Sequence, residues 1–235
     1  MGEAISKEKV LQVLNKLYDQ SIEGVAKVSP PIDVLAGDYL KKNKDAESAA
    51  KDFINHQVAK CTTSGFITGL GGLVTLPVAI PANIGSVMYV QMRMIACLAY
   101  MGGYDTDSDQ VQTLVYACLA GISVDQLLKS IGVQLGTKLT MTMVKKIPGT
   151  VLTKINQKVG FRLLTKFGSK GLVNIGKAVP VVGGVISGGL DFAETKVIAD
   201  RAYKMFIKGD LRAMSNMTDE DDEVVEMSDD DVEED

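Results

Sequence analysis

From Cys61 to Met92 the chain runs 32 residues without a charge, and only Arg93 interrupts before Asp105. A stretch like this has to be buried, in lipid or in protein. Pro77 and Pro81 divide it. A proline inside a helix removes a donor and clashes one turn back, so the run reads as two helices meeting at a bend. The first is expected over 63–76, about 14 residues and short of the ~20 needed to span a bilayer. The second is expected over 82–101, ended by Gly102 and Gly103. The pair reads as a Gly/Pro-rich apolar hairpin at the centre of a helical bundle.

The rest of the chain agrees with an all-α fold. Val10, Leu14 and Leu17 recur at helical spacing after Ser6. Ser29-Pro30-Pro31 breaks the chain before a helix over 32–42. Asp45 is placed to cap a third helix, and Asp107 or Ser108 a helix running through Leu119. Ser123 is expected to open one helix that carries Val124, Leu128, Ile131, Leu135 and Leu139 and ends at Pro148-Gly149. A basic helix follows to about Phe167, and a long final helix opens at Pro180. Aromatics make up only 6% of the chain, which suits close helix packing better than a β-sandwich. The expected architecture is a single compact bundle of about seven to nine helices. Gly65 and Gly69, Gly132 and Gly136, and Gly184 and Gly188 each stand four apart, a spacing that lets helix backbones approach.

Charge is distributed unevenly. The segment from Thr218 to Asp235 holds 12 acidic residues and no basic ones, so it reads as a disordered acidic tail. Without it the body carries 25 basic against 17 acidic residues. From Gln126 to Leu190, 65 residues contain ten basic side chains and neither Asp nor Glu. That asymmetry points to an anionic partner. Lys154, Lys158, Arg162, Lys166 and Lys170 repeat every four residues, with Lys145 and Lys146 just before them. Val151, Ile155, Val159, Leu163 and Phe167 repeat at the same interval. Both rows wind slowly around one helix, giving the basic amphipathic form used at anionic membrane surfaces. An ordinary solvated face over a core-facing stripe has the same pattern. Nucleic acid fits less well, since no recognised motif accompanies the charge and stacking aromatics are few.

Motifs for chemistry are missing. Gly69-Leu70-Gly71-Gly72 has Val74 where a dinucleotide fingerprint needs its third glycine. Gly171 to Lys177 matches a phosphate loop, but Ala178 replaces the magnesium-binding hydroxyl. His56 is the single histidine, and Cys61 lies at no recurrent ligand spacing from it. Asp105, Asp125 and Asp191 are scattered. The expectation is a protein with no catalytic residues, cofactor or metal. The three cysteines, Cys61, Cys97 and Cys118, sit in apolar surroundings, and no secretory leader is visible in the first twenty residues. A cytoplasmic location follows as an expectation.

The order of Thr68–Gly72 (TGLGG), the proline-bounded turn, Arg93, Gly102–Asp105 (GGYD) and the late Val179–Phe206 segment resembles the EcsC-like family. The likeness covers about residues 45–208. Members often carry an acidic residue just before the second proline, where this chain has Ala79 and Ile80. The resemblance implies an α-helical domain and, through the family's link to a transporter neighbour, membrane- or secretion-related work. It carries no catalytic residues across. The chain is thereby divided into an N-terminal helical extension (1–44), an EcsC-like helical domain (45–208) and an acidic tail (209–235). The leading expectation is a non-enzymatic protein held peripherally, on the cytoplasmic face, to anionic membrane or to a membrane-protein partner. The alternatives are insertion of the 61–104 hairpin as an integral or pore-forming protein, and a soluble module holding a lipid or other apolar ligand.

Overall fold

The computed structural model describes residues 7–26, 28–61, 82–130, 138–167 and 185–212. Within them lie nine α-helices: α1 (Lys7–Glu23), α2 (Ile32–Lys42), α3 (Ala46–Cys61), α4 (Ala82–Met101), α5 (Asp109–Ala120), α6 (Val124–Ser130), α7 (Met141–Val144), α8 (Gly149–Phe167) and α9 (Val185–Ala202). A π-helical turn, Tyr203–Ile207, continues α9. Among the described residues there is no β-strand, only isolated bridges between Val25 and Ser29 and between Lys138 and Asp210. The protein is an all-α bundle. The expected first arm of the hairpin and the acidic segment from 213 onward lie outside the described residues.

The second arm, α4, is the central helix. It is hydrophobic on every side, and Met92, Ile95, Ala96, Cys97, Leu98 and Ala99 are all buried. A helix of that kind is stable only when surrounded, and α1, α2, α3, α5, α9 and the π turn pack around it. Burying each large side chain such as Ile95 or Leu98 contributes about 1.5–3 kcal/mol. Helices α1 and α2 lay Leu14, Leu17, Ile32 and Ala36 into the same cluster as Phe53, Leu98 and Ile198. The core therefore runs without a break across the expected boundary after residue 44. At the other boundary, Leu211 is still buried, so the body extends just past residue 209.

Helix α5 has both of its ends written in the sequence. The Ser108 hydroxyl accepts from the Val111 N–H, and Gly121 ends the helix at φ 70°, a left-handed conformation that favours glycine. The region 123–149 differs from the single helix expected there. Helix α6 is described only to Ser130, and by Lys138 the backbone is bridged to Asp210. Thr140 is extended and caps α7 through its side chain. Leu139 stays buried by another route. Its N–H donates to the Gly209 carbonyl at 2.6 Å and its carbonyl accepts from the Tyr104 hydroxyl at 2.9 Å. Tertiary partners thus satisfy the backbone groups that a helix would have satisfied internally.

Leu139 belongs to a seam that joins distant parts of the chain. Gly102 lies so close to the π turn that a Cβ there would overlap the Phe206 carbonyl. The Tyr104 and Phe206 rings meet edge to face, centroids 5.3 Å apart. In the π turn the Lys208 N–H reaches back five residues to the Tyr203 carbonyl at 3.1 Å. GGYD and the end of the late segment, far apart in sequence, are therefore neighbours in space.

Candidate anionic-surface site

Helix α8 starts at a proline, which leaves the Pro148 carbonyl to accept from the Val151 and Leu152 N–H groups at 2.9 and 3.2 Å. Val151, Ile155, Val159 and Leu163 are buried, and the helix lies against α5 and α1. The Asn156 amide donates to the Thr113 hydroxyl at 3.3 Å and helps fix the rotation of α8 on α5. The apolar stripe is committed to the protein core. It is not free to enter a bilayer in this conformation.

The basic row divides once it is placed. Lys154 and Lys158 are exposed on the outer face, and Lys145 and Lys146 are exposed just before the helix. Among the described residues, no carboxylate lies within ion-pair distance of these four. Arg162 turns inward instead. It is half-buried, and its Nη1 donates to the Gly121 carbonyl at 3.4 Å. Arg201 of α9 reaches the same point, close enough that a Cβ on Gly121 would stand 2.7 Å from its Nη1. Two guanidinium groups thus gather at the C-terminal end of α5, where the helix dipole favours cations. Next to them the Cys118 thiol is pushed up to about 12 by burial, with Arg201 pulling the other way. The side chain of Lys166 and the whole of Lys170 lie outside the described residues.

The packing glycines singled out by spacing fall mostly outside as well: Gly65, Gly69, Gly132, Gly136 and Gly184. Gly188 is within α9. The glycines that the described backbone depends on are others, Gly102 by close approach and Gly121 by its positive φ.

Chemically active groups do not converge among the described residues. No group of three His, Cys, Asp or Glu side chains is placed to hold a metal ion there. His56 is exposed, with Nδ1 3.0 Å from the Tyr39 hydroxyl. Asp125 pairs with Lys129 at 2.6 Å, and Asp105 accepts from the Asp107 N–H in the turn before α5. Cys97 is buried in α4, and burial pushes its thiol up to about 12 against the opposing pull of Arg93. No helix among the described residues is long and apolar enough to cross a membrane.

In the sequence Arg93 stands only as an interruption of the apolar run and as one mark of the family resemblance, with no structural role attached. It is buried and fastens two turns of the fold, donating to the Ser21 and Pro30 carbonyls. The signal was present, because Arg93 is the lone charge between Cys61 and Tyr104. No protein-family model, curated protein or solved structure matches the chain.

Proposed function

We propose that the protein is a non-enzymatic, peripheral membrane-associating module. It docks on an anionic surface at the cytoplasmic face through Lys145, Lys146, Lys154 and Lys158. The observation that carries this reading is that these four exposed ammonium groups have no carboxylate within ion-pair distance among the described residues, and lie within 65 residues that contain no Asp or Glu. Surface lysines are ordinarily interspersed with acids, and a one-signed field attracts counter-charge. Because the apolar stripe of α8 packs on α5 and α1, attachment is electrostatic contact and not insertion of the helix. The likeness to EcsC-like proteins supports the same reading and belongs to this proposal.

Each lysine near an anionic leaflet contributes about 1 kcal/mol, so four contribute about 4 kcal/mol, roughly a thousandfold in partitioning. The test is flotation of the full chain with phosphatidylserine-containing vesicles and with neutral vesicles. Binding to the anionic vesicles is expected at low salt, with loss at high salt. Charge reversal of all four lysines to Glu is expected to abolish flotation while the melting temperature holds. Unchanged flotation by the reversed, folded variant would sink the assignment of this face. Material that resists carbonate extraction would favour the hairpin-insertion alternative instead.

A further inference from the structure

The core holds a cation that no carboxylate pairs with among the described residues. Arg93 is 7% exposed. Its Nη1 donates to the Ser21 carbonyl at 2.7 Å and its Nη2 donates to the Pro30 carbonyl. A guanidinium presents five N–H donors in a rigid fork, so the two carbonyls engage only part of it. Carbonyl dipoles also offset a buried charge less completely than an anion does.

Arg93 lines a partly open pocket of about 110 Å³ between α2, α3, α4 and the turn at Val28–Pro30. Gln57 lines it too. It is 9% exposed, and its amide is a polar group on an otherwise largely apolar wall. The walls between these two polar groups include Leu35, Phe53, Tyr89 and Met94. The Tyr89 hydroxyl is already engaged with the Ser29 hydroxyl at 2.8 Å. A largely apolar pocket lined by a cation and an amide has, on a small scale, the make-up of a ligand site.

We propose that this pocket binds a short-chain monocarboxylate. The Arg93 fork and the Gln57 amide would hold the carboxylate, and Leu35, Phe53 and Met94 would enclose the alkyl chain. One guanidinium matches one negative charge, and a carboxylate suits its planar fork. A multiply charged phosphate would bring more acceptor oxygens than this apolar wall can satisfy. A cavity of about 150 Å³ accommodates the six heavy atoms of benzene, so this smaller, partly open pocket of about 110 Å³ suits a ligand no larger than butyrate. Glu23 stands in the open groove beyond the Val28–Pro30 turn, so the anionic end belongs inside. This site is separate from the lysine face, and either reading can fail without the other.

The test is calorimetric and NMR titration of the full chain with butyrate, with 1-butanol as the neutral analogue and inorganic phosphate as the apolar-free anion. Saturable butyrate binding is expected, with chemical-shift changes at the Met94 methyl and no saturation by butanol or phosphate. Arg93 also holds the Ser21 and Pro30 carbonyls, so replacing it risks the fold. Gln57→Leu is the cleaner variant and is expected to weaken butyrate roughly tenfold. The proposal is overturned by absence of saturation with the folded protein, or by butanol or phosphate binding as well as butyrate. Butyrate affinity unchanged in Gln57→Leu overturns it too.

Discussion

Two lysine-bearing surfaces of this protein are built on opposite plans. At the seam between α3 and the π turn, every described cation is matched. Lys51 and Lys208 reach Glu47 at 2.9 and 2.5 Å, and Lys204 reaches Asp200 at 2.7 Å. The two lysines of the Glu47 pair also lie over the Tyr203 ring, 5.9 and 5.8 Å from its centroid. Around α8 the exposed Lys145, Lys146, Lys154 and Lys158 have no such partner among the described residues. The first surface joins residue 47 to residue 208, and its charges serve the fold. The second has no such match among the described residues, and under the proposed function its charge meets an anionic surface. A row of lysines read along a sequence does not distinguish these cases, because the distinction is whether acids come near in space.

The comparison is broken most severely at the seam. Phe206 is 2% exposed and stacks edge to face on Tyr104, so Phe206→Ala is expected to destabilise by about 3–5 kcal/mol. Chemical denaturation would measure it. A loss below about 1 kcal/mol would mean that the seam is not part of the cooperative core.

A smaller effect sharpens the other side. By sequence Arg162 and Lys158 are equivalent members of one row, and by contact they are not. Arg162→Ala removes a partly buried cation from the end of α5 and is expected to cost about 1 kcal/mol. Lys158→Ala is expected to stay within about 0.5 kcal/mol of wild type while weakening flotation on anionic vesicles. Equal stability losses in the two variants would erase the division drawn within the row.

The smallest effect concerns pH. Hydrogen bonds from Lys208 and then Lys51 hold the Glu47 carboxyl at about 2, below its ordinary 4.5. A carboxyl lowered in the folded state stabilises fully above its unfolded value, and that contribution fades as pH falls toward the folded one. The stability difference between wild type and Glu47→Gln is therefore expected to be level near neutral pH and to close between about 4.5 and 2. Because the carboxylate is exposed, added salt should shrink it as well. A difference that grows on acidification would contradict the pairing.

What was legible in the sequence was mostly local. The bounds of α2 and α4 match their expected ranges because prolines mark their starts and Gly102 marks the end of α4. The buried stripe of α8 was visible because four-residue spacing states which side chains share a face. What escaped was decided by neighbours remote in sequence. Leu139 continues the apolar spacing of α6, yet its backbone partners come from Gly209 and Tyr104. Arg162 leaves the solvent face because the end of α5 arrives beside it. Arg93 was conspicuous as a lone charge, but its two carbonyl partners lie 72 and 63 residues away.

The seam also orders events during synthesis. Glu47 and Lys208 are separated by 161 positions, and Gly102 needs the Phe206 backbone against it. Contacts of such long sequence separation form slowly, because loop closure must precede the reward. While the nascent chain grows, α4 therefore waits with one flank uncovered until residues 203–211 have emerged from the ribosome. Until then its apolar surface is open to chaperones, to other chains, or to whatever membrane lies close by.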